Sequence, residues 1–222
     1  MKIAIVTGGN RGIGYEIVRG LFLSGQFSDV YLTARTPKDG ISAVNALMKD
    51  FESDNKQDIS RLRFHQMDLT DPQSMDKFLN HLNTEHNGTF DVLVQNAAIA
   101  FKNAATEPFH EQAEVTLRTN FWGTLDLMKR FAPKCNENGR IVLMSSFCSQ
   151  SAQFQFKPNS FKNPIAKELY LVNNELTLER MEQLARQFVS DCKAGINEKN
   201  GWPTSAYGVS KLFTNCITRI FA

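Results

Sequence analysis

The sequence predicts a doubly wound parallel α/β sheet. Three observations support this fold class. Short, uninterrupted apolar runs alternate with stretches whose apolar residues recur at helical spacing, and a glycine-rich turn joins the first run to the first helix. Strands covered by helices on both faces are apolar along their whole length, and right-handed crossovers produce that cover. The 222 residues, 42% of them apolar, are enough for one domain with a substantial core.

Strands and helices can be assigned in chain order. Buried strands are expected over residues 2–6, 29–33, 62–67, 90–94 and 140–144. Helices are expected over residues 12–24, 40–51, 109–131 and 206–222, with a further helix that opens at Pro72. The alternation stops after Ser146, and residues 177–193 then show helical spacing without a neighbouring strand. We therefore predict a single domain over residues 1–222 with a helical insertion over about 150–203.

Composition and charge exclude several function classes. The net charge is +2, which gives no overall electrostatic attraction to nucleic acid or to a membrane surface. No apolar stretch has the length of a secretory signal or of a membrane span. Neither the four cysteines nor the four histidines show metal-ligand spacing. A cytoplasmic protein with reduced thiols and without a metal is expected.

The glycine-rich turn after the first strand is typical of a dinucleotide site. Glycines allow the backbone to approach a pyrophosphate, and the following helix offers unpaired N–H groups and the positive end of its dipole. A tight turn without a ligand remains the alternative. The turn residues expected to contact the cofactor are Gly8, Asn10, Arg11, Gly12, Ile13 and Gly14.

Two arginines indicate which dinucleotide binds. An enzyme that uses NAD carries a carboxylate after the second strand, where it binds the ribose 2′-hydroxyl. This chain has Arg35 there, and Arg11 lies inside the glycine turn. Guanidinium groups bind a phosphate through paired hydrogen bonds, so NADP(H) is favoured over NAD(H). The alternative is that both arginines are solvated surface charges.

A tyrosine and a lysine on the last predicted helix form a candidate proton donor. Tyr207 and Lys211 are four positions apart and share one helix face. A tyrosine hydroxyl has an ordinary pKa of about 10, and a neighbouring ammonium lowers the pKa because it favours the phenolate. Tyr207 then becomes a plausible general acid for a carbonyl oxygen that receives hydride. An ordinary helix with an exposed tyrosine and lysine is the alternative.

Three polar residues are candidates for the same site. Ser146 follows the fifth strand and Asn96 follows the fourth, and ligands of parallel sheets bind beyond the carboxyl ends of the strands. Ser146 is preferred over Ser145, which we expect to be buried at the end of the strand. Asn120 stands inside a long helix, where asparagine is unfavourable on propensity, although it can simply face water.

Five motifs in order resemble the short-chain dehydrogenase/reductase family. They are the glycine turn at 7–14, Gln-Asn-Ala-Ala at 95–98, residues 119–124, the Ser146 strand end and Tyr-Gly-Val-Ser-Lys at 207–211. Residues 96–102, 108–115 and 201–208 are similar to the NADPH-dependent carbonyl reductase branch of that family. The resemblance runs from residue 3 to the end of the chain. It implies a Rossmann-like fold and the NADPH-dependent reduction of aldehydes, ketones or quinones.

The resemblance also implies roles for individual residues. Tyr207 is the expected acid, Lys211 binds the nicotinamide ribose, and Ser146 positions the substrate carbonyl. Asn120 is expected to hold a helix kink and a water that relays protons to Lys211. Asp68 and Leu69 are expected at the adenine and Asn96 at a cofactor ribose. Glutathione is bound in similar reductases at positions that correspond here to Phe101, Lys102, Asn103 and Gln112.

The helical insertion and the end of the chain set further expectations. In similar carbonyl reductases an insertion covers the surface that pairs with another subunit in most of the family, so a monomer is expected. Family members continue past the tyrosine helix with two more strands, so the last strands are missing here, in a fragment or in a short gene product. The fifth strand would then be an unpaired apolar edge. Gln95 and Ala98 also replace the usual asparagine and glycine.

Two other functions remain open. A truncated relative of these enzymes can bind NADP without catalysis or serve as an interaction protein. An alcohol dehydrogenase that works in the oxidative direction is the third possibility, and Arg11 and Arg35 disfavour it because cells keep NADP largely reduced. Cys148 lies close to Ser146 in sequence, and an inert small apolar residue is its simpler interpretation.

Overall fold

Five parallel strands form one sheet. The computed structural model describes residues 1–52, 58–102, 104–149, 165, 168–169 and 176–222. The strands are β1 (Ile3–Val6), β2 (Asp29–Ala34), β3 (Leu62–Gln66), β4 (Phe90–Gln95) and β5 (Cys135–Leu143). Their order is β3-β2-β1-β4-β5, and each neighbouring pair is parallel. The predicted fold class is therefore confirmed.

Seven α-helices belong to the described part of the chain. They are α1 (Gly12–Leu23), α2 (Pro37–Glu52), α3 (Pro72–His86), α4 (Phe109–Leu117), α5 (Thr124–Phe131), α6 (Leu178–Lys193) and α7 (Ala206–Phe221). A π-helical turn, Arg118–Gly123, joins α4 to α5. Helix α2 begins three residues before the expected start. Pro37 suits a first helical turn, and the Thr36 hydroxyl accepts a hydrogen bond from the Asp39 N–H at 3.3 Å.

The residues divide into two compact units. Unit 1 contains Met1–Ala98 and Asp126–Met144, and unit 2 contains Ile99–Leu125 and Ser145–Ala222. Each unit is described by itself.

Unit 1 buries apolar side chains on both faces of its sheet. Successive residues of a strand point to opposite faces, and β1 shows the consequence. Ala4 and Val6 join a core cluster with side chains of α1 and α2, whereas Ile3 and Ile5 join a second cluster with side chains of α3 and α5. This double cover is the reason why the strands read as uninterrupted apolar runs.

Strand β5 is the irregular edge of the described sheet. It begins at Cys135, five residues before the expected start, and its register on β4 shifts between Phe90 and Val92. The residues between Cys135 and Arg140 form a β-bulge, in which Asn138 has a φ of 65°. Within the described residues β5 pairs with β4 alone, and its Val142 is 45% exposed. The strand expected from the sequence, residues 140–144, covered only the apolar second half of β5.

Unit 2 is built from α4, the π-helical turn, α6 and α7. Its core is aromatic: the rings of Phe121 and Phe213 lie 4.8 Å apart and those of Phe188 and Trp202 lie 5.1 Å apart. The indole N–H of Trp202 donates to the buried Asp191 carboxylate at 3.0 Å. Helix α6 is the helix expected at 177–193, with Thr177 as its N-cap.

The other features of the insertion are only partly described. Residues 150–164, 166–167 and 170–175 lie outside the described residues, so the extent of the insertion and the single-domain assignment stay predictions. Within the described helices, none combines the length and the apolar character that crossing a membrane requires.

Candidate active site

Predicted cofactor residues meet at one edge of the sheet in unit 1. Thr7 directly follows β1, Arg35 follows β2, Asp68 comes two positions after β3, and Asn96 follows β4. Since all four strands are parallel, these residues lie at the carboxyl edge of the sheet, where ligands of such sheets bind.

Thr7 and Asn96 hold the start of the glycine turn. The Thr7 hydroxyl oxygen accepts hydrogen bonds from the N–H groups of Asn96 and Ala97, both at 2.9 Å. The Asn96 side-chain amide donates to the carbonyl oxygens of Thr7 at 3.0 Å and of Gly8 at 3.2 Å. The Asn96 side chain therefore fixes the shape of the turn. Sequence reasoning missed Thr7, although a polar residue directly after a fully buried strand is a usable signal.

Three glycines of the turn are required for different reasons. Gly8 and Gly12 have φ values of 62° and 57°, in the left-handed region that favours glycine. A Cβ on Gly14 would lie 2.4 Å from the Asn96 Nδ2 and 2.4 Å from the Gly8 carbonyl oxygen. A Cβ built on Gly12 would meet no atom within 4 Å. The turn is thus closed on the side of the sheet and open at Gly12.

The first turn of α1 suits an anion. Arg11 is the N-cap in extended conformation, its side chain caps no helix N–H, and the first turn contains no acidic residue. Arg11, Gly12 and Ile13 are exposed. Helix N–H groups without a side-chain cap, open space at Gly12 and the dipole of α1 fit the pyrophosphate of a dinucleotide.

Both predicted 2′-phosphate ligands are available. Arg11 and Arg35 are exposed, and neither guanidinium has an ion-pair partner in the part of the chain that the structure describes. The Arg35 carbonyl oxygen accepts a hydrogen bond from the Gln66 side chain at 3.0 Å, which ties the end of β2 to β3.

Asp68 and Leu69 stand after β3 as expected, with their side chains committed elsewhere. The Asp68 carboxylate accepts hydrogen bonds from the Thr70 N–H and hydroxyl, both at 2.8 Å. The Leu69 side chain is buried. A contact from this pair to an adenine stays a prediction.

In unit 2, helix α7 presents Tyr207 and Lys211 together. The Lys211 Nζ lies 5.7 Å from the centroid of the Tyr207 ring. Lys211 is only 3% exposed, and burial lowers its pKa from 10.5 to about 8. Tyr207 is half-buried. Ser205 begins the helix, since its hydroxyl accepts a hydrogen bond from the Gly208 N–H at 3.0 Å.

Asn120 lies in the π-helical turn and is 1% exposed. Its Oδ1 accepts from the Ile99 N–H and its Nδ2 donates to the Ile99 carbonyl oxygen, both at 2.8 Å. The same Nδ2 donates to the Ser210 hydroxyl at 3.0 Å, and that hydroxyl donates to the Tyr207 carbonyl oxygen at 2.8 Å. The amide therefore joins the π-helical turn to α7. Ser210, which sequence reasoning missed, completes the link.

Ser146 and the expected glutathione residues also belong to unit 2. The Ser146 hydroxyl oxygen accepts a hydrogen bond from the Cys148 N–H at 3.2 Å, in the short 3₁₀ turn that follows it. Phe101 is half-buried and Lys102 is exposed. The Gln112 side chain donates to the Glu107 carbonyl oxygen at 2.8 Å. Asn103 lies outside the described residues.

The family model for short chain dehydrogenases matches residues 2–158. The chain belongs to the short-chain dehydrogenase family. It is 42% identical to carbonyl reductase (NADPH) 1 of Pongo abelii over 224 aligned positions, which cover 100% of this chain and 74% of that protein. Two solved reductases superpose with a TM-score of 0.81 at 28% identity and over 99% of this chain. They are menthone neomenthol reductase from Mentha piperita, covered to 84%, and salutaridine reductase from Papaver somniferum, covered to 81%.

This short-chain dehydrogenase departs from the family motif at Ala98, which fits without strain, and at Gln95, whose buried Oε1 has no hydrogen-bond partner among the described residues. Asn87 and Asn138 are the non-glycine residues with positive φ in the described ranges, so Ala98 takes its position at negative φ and its Cβ causes no backbone strain. Gln95 is 1% exposed and its Nε2 donates to the Ala97 carbonyl oxygen at 2.8 Å. The described residues offer no group of three side chains that could hold a metal ion.

Proposed function

We propose that this protein is an oxidoreductase that uses NADPH to reduce aldehydes, ketones or quinones, with Tyr207 as the general acid. The pairing of Tyr207 with the buried ammonium of Lys211 carries the proposal. Lys211 is buried, and burial lowers its pKa to about 8. A buried group with a shifted pKa beside a tyrosine is typical of an active site. Its relatives named as NADPH carbonyl reductases support the same reaction class.

The glycine turn and the carboxyl edge of the sheet would hold the cofactor. The pyrophosphate fits the open space at Gly12 and the N–H groups of α1. Arg11 and Arg35 would bind the 2′-phosphate, which NADP carries and NAD lacks. When bound, NADPH supplies the hydride. The other expected cofactor contacts are Gly8, Asn10, Ile13, Gly14, Asp68, Leu69, Asn96, Tyr207 and Lys211.

The side chains of unit 2 would handle the proton and the substrate oxygen. The Tyr207 hydroxyl donates its proton to the carbonyl oxygen as negative charge develops there. The Lys211 ammonium stabilises the phenolate that remains. Ser146 offers a hydroxyl that hydrogen-bonds the same oxygen and holds it in reach of the acid. Each of these groups lowers the energy of the charge that appears in the transition state.

Asn120 would position rather than react. Its amide is hydrogen-bonded to the Ile99 main chain and to Ser210, so it is not available to bind substrate. In a π-helical turn, main-chain carbonyl groups lose their usual partner four residues on and can accept from a water. Such a carbonyl in the turn would support the proton relay to Lys211.

Replacing the acid tests the proposal. With a reactive quinone, the wild-type protein should consume NADPH, and Tyr207→Phe should lower kcat by about 10²-fold or more while NADPH still binds. Tyr31→Phe is the matched control: it removes a buried tyrosine hydroxyl of unit 1 and should keep the activity. Wild-type protein that binds NADPH without turnover would favour the non-catalytic alternative instead.

The cofactor preference tests the arginine assignment. Arg35→Asp should reduce the preference for NADPH over NADH by about 10- to 100-fold, the value of a lost charge-assisted contact to phosphate. Arg19→Asp is the control, because Arg19 is an exposed residue of α1 that pairs with Glu16. An unchanged preference in Arg35→Asp would refute the assignment.

Four finer features belong to the same proposal. The enzyme acts as a monomer, consistent with α6 packing on α4 through the Lys193–Glu114 ion pair at 2.7 Å. It acts in the cytoplasm, consistent with four cysteines that form no disulfide. Its substrates are small carbonyl compounds and include glutathione conjugates, which would lie near Phe101, Lys102 and Gln112. Sedimentation of the native protein and assays with glutathione-conjugated carbonyls test these features.

A further inference from the structure

A partly buried hydrogen-bond cluster centred on the buried Ser149 adjoins Ser146 in unit 2. The cluster contains Ser145, Ser149 and Asn215. The Ser149 hydroxyl donates to the Ser146 carbonyl oxygen at 2.5 Å, and the Asn215 Nδ2 donates to the Ser149 hydroxyl oxygen at 3.0 Å. The Ser145 hydroxyl lies 3.3 Å from the Ser149 hydroxyl and 3.3 Å from the Lys211 carbonyl oxygen.

Ser149 is the centre of this cluster. Its side chain has one proton, which goes to the Ser146 carbonyl oxygen, and its lone pairs receive the Asn215 amide. Ser149 is 4% exposed, so water cannot easily replace either bond. The Ser149 N–H adds a second bond to the same Ser146 carbonyl oxygen, at 3.0 Å. The main chain of Ser146 is therefore fixed by Ser149.

The cluster also fixes this turn against α7. Gly208, Lys211 and Asn215 are three and four positions apart, so they share one face of the helix. At the first of them, a Cβ on Gly208 would lie 2.8 Å from the Cys148 carbonyl oxygen, a distance that only glycine permits. The Lys211 carbonyl oxygen accepts a hydrogen bond from the Ser145 hydroxyl, and the Asn215 Nδ2 donates to the Ser149 hydroxyl oxygen. Three successive turns of α7 thus contact residues 145–149.

We propose that Ser149 and Asn215 are positioning residues that set the distance from the Ser146 hydroxyl to Tyr207 and Lys211. The inference rests on the proposed function, in which these three side chains act on one carbonyl oxygen. A hydroxyl that must reach that oxygen together with Tyr207 needs its main chain held to a fraction of an ångström. A shift of 1 Å can cost about 10²-fold in rate.

Ser149→Ala removes the centre of the cluster and tests the proposal in two ways. We expect kcat for quinone reduction to fall about tenfold or more, with the affinity for NADPH unchanged. We also expect hydrogen exchange of the 146–149 amides in the unliganded protein to accelerate about tenfold, because one hydrogen bond that holds the turn is lost. Asn215→Ala should show both effects, and it replaces Ser149→Ala as the test variant if Ser149→Ala does not fold.

Thr214→Val is the matched control. Thr214 is a buried residue of α7 whose hydroxyl donates to the Ser210 carbonyl oxygen at 3.1 Å, outside the cluster. Its replacement should leave kcat and the exchange of residues 146–149 unchanged. An equal loss in Thr214→Val would overturn the proposal, since any lost hydroxyl on α7 would then have the same effect.

A double-mutant comparison separates positioning from general destabilisation. If Ser149 acts through Ser146, Ser149→Ala should cause no further loss of kcat in a Ser146→Ala background. A loss of the same size in both backgrounds, or wild-type kcat in Ser149→Ala, would overturn the proposal. Absence of turnover in the wild-type protein would refute the proposed function, and unchanged exchange of residues 146–149 in Ser149→Ala would then refute the positioning role independently.

Discussion

Replacing Lys211 with methionine should stabilise the protein while it abolishes activity. Burial lowers the Lys211 pKa from 10.5 to about 8, which corresponds to about 3 kcal/mol spent to keep an ammonium in this place at pH 7. The Lys211 Nζ lies 5.7 Å from the centroid of the Tyr207 ring, and such contacts offset part of that difference. Lys211→Met has a similar shape without the charge, so we expect a gain of about 2 kcal/mol at pH 7.

The gain should depend on pH in a defined direction. Lys211 has a lower pKa in the folded protein than in the unfolded chain, so the unfolded chain holds more protons between pH 8 and 10.5. The contribution of Lys211 to the free energy of unfolding therefore rises with pH across that window and is lowest below it. The advantage of Lys211→Met should be full at pH 7 and should shrink towards pH 10.

Paired denaturation curves measure this effect. Urea unfolding of the unliganded wild type and of Lys211→Met, at pH 7 and at pH 10, gives the difference in free energy of unfolding between the two proteins at each pH. Other titrating groups contribute equally to both proteins and cancel in this difference. Lys193→Met is the control, because its side chain is 51% exposed and its replacement should change stability by less than about 0.5 kcal/mol at either pH. Lower stability of Lys211→Met at pH 7, or an advantage that does not change with pH, would refute the reasoning.

Three further predictions concern other parts of the chain. Gly14→Ala should cost at least about 2 kcal/mol and weaken NADPH binding, because the new Cβ would lie 2.4 Å from the Asn96 Nδ2; equal urea midpoints would contradict it. Burial is the main cause that lowers the pKa of His86, so the unfolded chain binds a proton more readily than the folded protein. Stability should therefore fall as the pH drops below 6.5, and His86→Gln should reduce that fall in thermal melts between pH 5 and 7. Asp191→Ala should cost about 1–3 kcal/mol because it leaves the buried Trp202 N–H without its acceptor, and an unshifted Trp202 emission spectrum would count against this.

The sequence predicted the strands well where burial is complete. β1 and β2 are buried along their whole length, so apolar residues mark their extent to within one residue. β5 was predicted poorly at its start, because Cys135 and its polar successors form a bulged edge whose pairing depends on β4. The start of α2 was missed because Pro37 and Lys38 precede its apolar pattern.

In the candidate site, too, the sequence shows local properties and does not show those that depend on distant partners. Glycine conformation and the spacing of Tyr207 and Lys211 are local properties, and the sequence shows them directly. The roles of Thr7 and Ser210 depend on partners 89 and 90 positions away, Asn96 and Asn120, and no local pattern distinguishes them from other hydroxyl groups. The burial of Lys211 is likewise a property of the packed helix and not of its motif.

The most direct test follows the transferred atom. The wild-type protein should convert a ketone with NADPH that carries deuterium at both C4 positions of the nicotinamide into an alcohol with deuterium on its carbinol carbon, as mass spectrometry can show. Tyr207→Phe should bind the same cofactor and transfer almost none. Deuterium transfer at the wild-type rate in Tyr207→Phe, or none in the wild type, would contradict the account.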